Sequence, residues 1–232
     1  MDFSNIEPKA LWQHFAALNA VPRPSKKEER VIAFMLNFGH ALGLDTQRDA
    51  IGNVIIKKAA TAGMEDRQTV ILQSHLDMVH QKNANTVFDF DQQGIEMFQD
   101  GDWIRTKGTT LGADNGIGVA AIMALLASTD IAHPALEAFF TIDEETGMTG
   151  AKEMDASLLS GTILLNLDTE DDDELSVGCA GGIDTNTFFN YDETAIQAGY
   201  TTYSIQMSGL LGGHSGMVID KGRGNANNWL AR

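Results

Sequence analysis

Residues Thr69 to Gln81 read Thr-Val-Ile-Leu-Gln-Ser-His-Leu-Asp-Met-Val-His-Gln, and no other stretch restricts the fold of this chain so tightly. The first half is a short, β-branched apolar run of the kind that forms a buried strand, and the second half turns polar too abruptly to continue into a core. His75 and Asp77 stand at that changeover. Side chains two residues apart on an extended segment point the same way, so an imidazole and a carboxylate are expected side by side at the strand's C-terminal edge. Open α/β sheets keep their chemistry at that edge.

The rest of the chain supplies partners for such a strand. Leu11, Phe15 and Leu18 follow Pro8 at helical spacing, and Val-Pro-Arg-Pro-Ser at 21 to 25 stops that helix. Ser25 and Glu28 have the form of a capping box before a second apolar stripe of Val31, Ile32, Met35, Phe38 and Leu42. Strands are expected at Asn53 to Lys57, around Trp103 to Thr106, at Ala135 to Ile142 and at Thr162 to Leu167; an Ala- and Ile-rich buried helix ends at Ala127. Strands alternating with helices predict an α/β sheet with helices on both faces. After about residue 180 the character changes. Asp184 to Phe189 and Tyr200 to Met207 read as longer, more exposed strands, and Asn227 to Arg232 reads as the first turns of a helix. A chain ending inside a helix is expected to be a fragment of a longer protein.

Charge and cysteine usage narrow the function. With 16 basic against 32 acidic residues, a net charge of -16 argues against nucleic acid and anionic membrane surfaces as partners. The ordinary meaning of that charge is solubility, the other being attraction of cations. The single Cys179 makes neither an internal disulfide nor a cysteine zinc site, which fits a reducing cytoplasm. The N-terminus has no basic segment followed by an apolar one, and no apolar run reaches the roughly 18 residues of a membrane helix.

Chemistry-bearing residues recur at four places: His75 with Asp77, Asp114 ahead of the buried helix, Glu144 with Glu145, and Asp168. All but Asp114 directly follow an apolar strand, and a doubly wound sheet brings such positions to one rim. Five carboxylates around one imidazole repel each other unless a cation joins them. Imidazole and carboxylate without thiolate suits zinc, manganese or cobalt better than magnesium or calcium. Asp77 is better placed to hold the tautomer of His75 than to bind metal. Glu144 and Glu145 both reach the rim only if the strand ends there, and then one could bind metal while its neighbour takes a proton from the attacking water. Each piece also has an ordinary structural explanation: a hydrogen-bonded histidine, a helix cap at Asp114, a solvated Glu-Glu pair.

Other signals are weaker. Gly116-Ile-Gly118 lacks the preceding strand of a dinucleotide fingerprint, and the acidic run Asp168 to Glu174 lacks an EF-hand glycine. Cys179 has no evident activating base, and Gly-His-Ser215-Gly departs from a nucleophile elbow.

Five motifs in order, Ser74-His-Leu-Asp-Met-Val79, Leu111-Gly-Ala-Asp-Asn-Gly116, Asp143-Glu-Glu-Thr-Gly147, Leu167-Asp-Thr-Glu170 and Gly212-Gly-His-Ser-Gly216, resemble the co-catalytic di-zinc peptidases, and within them the bacterial aminoacyl-histidine (Xaa-His, carnosinase-like) dipeptidases. The resemblance covers nearly the whole chain. It implies a mixed, mostly parallel sheet with helices on both faces, a catalytic domain over 1–182, and the beginning of a smaller α+β lid and dimerisation domain over 183–232. It makes His75, Asp114, Glu145 and Asp168 ligands to two divalent ions, with Asp114 bridging, Asp77 orienting His75, and Glu144 acting as general base. It makes His214 a substrate-binding residue. It implies a cytoplasmic homodimer hydrolysing dipeptides ending in histidine; a tripeptidase, an N-acyl-amino-acid deacylase or an inactive metal-binding fragment are the alternatives. One ion would receive three protein ligands and the other only Asp114 and Glu145, the missing histidine being expected downstream of residue 232; His80 is a poor substitute.

Overall fold

The computed structural model describes residues 5–170, 173–179, 181, 183, 185–214 and 216–232. It divides into two compact units, Met1–Gly178 and Cys179–Arg232.

The first unit is organised by a five-stranded sheet. Its strands are β1 (Asp45–Arg48), β2 (Val54–Lys58), β3 (Val70–His75), β6 (Leu136–Thr141) and β7 (Ile163–Asn166), in the order β1-β2-β6-β3-β7. β2 runs antiparallel to both its neighbours, whereas β6, β3 and β7 are mutually parallel, so four of the five strands share one direction. β4 (Met97–Asp100) and β5 (Trp103–Thr106) form a separate hairpin.

Alternation along β6 divides the core in two. Leu136, Ala138 and Phe140 face the main cluster, where they meet Leu18 of α1 (Lys9–Asn19), Val31, Ile32 and Met35 of α2 (Glu29–Ala41), and Val119, Ile122 and Met123 of α3 (Ala113–Ala127). Phe139 points the other way and joins Ile55 and Ile71 beneath Met154, Leu158 and Leu159. That second face is covered by α4 (Thr149–Lys152) and a 3₁₀ turn at Ala156–Leu158, so the two helical layers are unequal.

Two sequence expectations fail. Ser25 and Glu28 do not form a capping box: α2 starts without a side-chain cap, and Glu28 accepts instead from the Lys26 amide at 2.9 Å and the Asp143 amide at 3.1 Å. The competing demand of the loop after β6 takes the carboxylate away from its own helix. In the second unit, residues 185–189 and 200–207 form no strand, Asp184 lying outside the described residues. Phe188 is 91% and Phe189 83% exposed, so these side chains meet no packed layer within the unit. The described part of this unit contains α5 (Ala226–Leu230), capped by Asn225 accepting from the Asn228 amide at 3.2 Å. Among the described residues no helix is long and apolar enough to cross a membrane.

Candidate metal centre

Three adjacent parallel strands deliver the rim. β3 ends at His75, β6 ends two residues before Asp143, and β7 ends two residues before Asp168. Their shared direction puts all three C-terminal ends on one edge. α3 adds Asp114 from its first turn. Gly112 precedes it at φ 72°, and Asp114 (φ -80°, ψ 116°) and Asn115 (φ -102°, ψ 32°), joined by a cis peptide bond, leave the helical conformation.

His75 is the hub, buried to 1% exposure. Nδ1 faces Asp77, 3.3 Å from its Oδ1 and 3.1 Å from its backbone carbonyl. Nε2 faces the carboxylates, 3.0 Å from Asp114 Oδ1, 3.6 Å from Asp168 Oδ1 and 4.0 Å from Glu144 Oε2. The fully buried Asp77 does more than address the ring. Its Oδ1 also accepts from the Glu144 amide at 3.0 Å, and Oδ2 accepts from the Glu145 amide at 3.3 Å. One carboxylate therefore contacts the histidine ring and the backbone of both glutamates.

Both glutamates reach the rim because β6 has ended. Asp143, at φ 53°, turns its own carboxylate to Lys26 Nζ at 2.7 Å and to the hydroxyls of Thr146 and Thr149. His75, Asp114 and Glu145 bring one ligand atom each within 4.8 Å of one another, and so do His75, Glu144 and Asp168. Sequence reasoning missed Asn115, whose Nδ2 donates to Asp168 Oδ1 at 2.7 Å. Its place beside Asp114 in the Leu111–Gly116 motif was the available signal. His80 packs edge-on against Phe90. His214 belongs to the second unit, where its Nδ1 accepts from the amides of Gly216 at 3.1 Å and Met217 at 3.2 Å; Ser215 lies outside the described residues.

The electrostatics are those of a site short of positive charge. Burial opposes protonation of His75, but hydrogen bonds with Asp114, Asp168 and Asp77 outweigh it and push the imidazole up to about 12. Burial, aided by the charge of Asp114, raises Glu145 to about 7. Glu144 is also raised, first by burial, with His75 opposing and Asp168 adding to it. Asp77 is held below the usual carboxylate range, because the bonds from His75 and the Glu144 amide overcome its burial. The donor set fits a divalent cation: an imidazole and four carboxylates, with nitrogen and oxygen donors converging and no thiolate.

Known proteins share this architecture and sequence. No family model matches the chain. The cytosol non-specific dipeptidase of Escherichia coli is 45% identical over 231 residues, spanning 100% of this chain and 48% of that protein. The crystal structure of the aminoacylhistidine dipeptidase of Vibrio alginolyticus superposes with a TM-score of 0.76 at 43% identity, over 100% of this chain and 47% of that one. Over its whole length the chain is similar to about half of each of these two dipeptidases. It spans about half the length of the curated relative it matches. A tripeptidase from Staphylococcus aureus shares the fold over 72% of this chain, with a TM-score of 0.61 at 24% identity.

Proposed function

We propose that the protein is a metal-dependent dipeptidase with a preference for Xaa-His substrates, and that residues 1–182 are its catalytic part and 183–232 the beginning of a lid through which two copies pair in the cytoplasm. The observation that carries this reading is the convergence on His75 Nε2 of carboxylates from three different segments, Asp114 at 3.0 Å, Asp168 at 3.6 Å and Glu144 at 4.0 Å. The likeness to two dipeptidases supports the reaction class.

His75, Asp114, Glu145 and Asp168 are the residues that would hold two divalent ions, best zinc, with manganese or cobalt as substitutes. Bound there, the metal supplies Lewis acidity toward the peptide carbonyl and acidifies water. Asp77 keeps His75 in the tautomer that leaves Nε2 facing the carboxylates, and through the two glutamate amides it sets the spacing of the pair. Glu144 is the general base. It takes a proton from the attacking water as the new C–O bond forms, then delivers it to the amine as the C–N bond breaks, and so ends as the carboxylate it began as. His214 is a substrate-binding residue of the lid.

Glu144→Gln in the full-length protein separates base from ligand. Turnover of β-alanyl-histidine is expected to fall by about 10²- to 10⁴-fold while zinc content stays near that of the wild type. Near-normal turnover removes Glu144 from the reaction, and lost zinc makes it a ligand instead.

A further inference from the structure

Beneath the rim lies a charged side chain to which the proposed chemistry gives no role. Arg23, in the segment between α1 and α2, is 1% exposed. Its guanidinium spreads four N–H groups over four acceptors. Nη1 donates to the backbone carbonyls of Leu76 at 3.0 Å and Asp77 at 3.2 Å, and Nη2 donates to Asn19 Oδ1 at 2.9 Å and the Gly112 carbonyl at 2.6 Å. Two of these carbonyls lie on the edge that carries His75 and Asp77, and a third lies two residues before Asp114. The backbone of Arg23 joins the same edge, its carbonyl accepting from the Met78 amide at 3.2 Å. Pro22 and Pro24 on either side restrict the chain that presents it.

The glycines of the Asp114 motif give independent support. A Cβ at Gly112 would stand 2.5 Å from Arg23 Nη2, and one at Gly116 would stand 2.7 Å from the same atom and 2.9 Å from Phe15 Cε2. Gly112 also has a left-handed backbone at φ 72°, but Gly116 is not among the residues with positive φ, so its lack of a side chain answers to space. Both ends of the motif are shaped around the guanidinium. Burial lowers Arg23 to about 10 against the charges of Asp77, Asp114 and Glu145, which leaves it a cation at neutral pH facing the carboxylate cluster from below.

We infer that Arg23 is a positioning residue for the metal centre, locking the His75-Leu76-Asp77 edge against the Gly112–Asp114 turn so that ligands from two segments are held in register before an ion arrives. The inference rests on the metal reading above. The four Nη donors of the fixed guanidinium fork reach all four acceptors, and the three donors of a lysine ammonium cannot bridge the same set.

The test is zinc affinity, measured by competition with a chromophoric chelator on metal-stripped, full-length protein whose fold is checked by circular dichroism. Arg23→Met and Gly116→Ala are expected to weaken the tightest zinc site by about ten- to a hundred-fold, the range seen when groups supporting metal ligands are lost. Arg23→Lys falls between them and the wild type, because it restores charge without the bridge. It also stands in if Arg23→Met does not fold. Leu126→Ala opens a cavity at the far end of α3, about 15 Å along the axis from Gly116, and is expected to leave affinity within about two-fold. Wild-type affinity in Arg23→Lys and Gly116→Ala overturns the inference, as does an equal loss in Leu126→Ala, which would make the effect one of general stability. A wild-type protein that binds no zinc defeats the metal reading itself and this inference with it.

Discussion

Glu137 shows at the scale of one residue what a buried charge requires. It interrupts the apolar run of β6 at 2% exposure, and its carboxylate accepts from the Ser160 amide and hydroxyl, each at 2.8 Å, from the Gly161 amide at 2.9 Å, and pairs with Lys57 at 3.1 Å. Burial alone would raise its pKa, but the bonds from Gly161 and Ser160 hold it below the ordinary value of 4.5. A depressed folded-state pKa stabilises the protein above the unfolded value, and that stability is lost as pH falls through the folded one. Glu137→Gln is therefore expected to cost about 1–3 kcal/mol at neutral pH and markedly less at about pH 3, measured by urea denaturation at both. An equal cost at both pH values would contradict the assignment. Gly118 makes a steric prediction. A Cβ there would lie 2.1 Å from Asn115 Oδ1 and 2.8 Å from the Leu167 carbonyl, so Gly118→Ala must displace the side chain that holds Asp168. Its expected cost is about 1–3 kcal/mol, together with weakened zinc binding in the chelator competition; unchanged stability would show that Asn115 is free to move.

At the scale of elements, what is legible in the sequence is what buries an apolar face. β3, β6 and α3 announce themselves because Ile71, Phe140 and Ile122 recur at the period of their element, and the polar residues at the strand ends then mark the rim. β1 is silent. Asp45–Arg48 contains no apolar residue and is a strand because β2 pairs with it. Arg23, Glu28 and Asn115 are silent for a different reason: each acts on a segment distant in sequence, as Glu28 does on the amide of Asp143, and no local pattern records that. Residues 185–189 do not form a strand, because their Thr and Phe side chains lie exposed with no packed layer to receive them. The sheet's dependence on its central strand is open to measurement. Phe140, fully buried on β6, is expected to cost about 3–5 kcal/mol on truncation to Ala with the urea m-value unchanged. A cost under 1 kcal/mol would mean that the helices, rather than β6, hold the core.

At the scale of the whole molecule, the fold explains why the candidate ligands gather on one rim. Three parallel strands end together, a helix start closes the gap, and a buried aspartate and arginine tie the parts from behind. The chain spans about half the length of the relatives it matches. With 16 basic against 32 acidic residues, the net charge of -16 argues against polyanions such as nucleic acid as partners. The most direct measurement is metal content against dipeptide hydrolysis as the full-length protein is stripped with chelator and reloaded with zinc. The account predicts that β-alanyl-histidine hydrolysis falls in step with metal removal, returns with zinc, and fails to return in His75→Ala. Hydrolysis that persists in metal-free protein, or that zinc restores equally in His75→Ala, would contradict it.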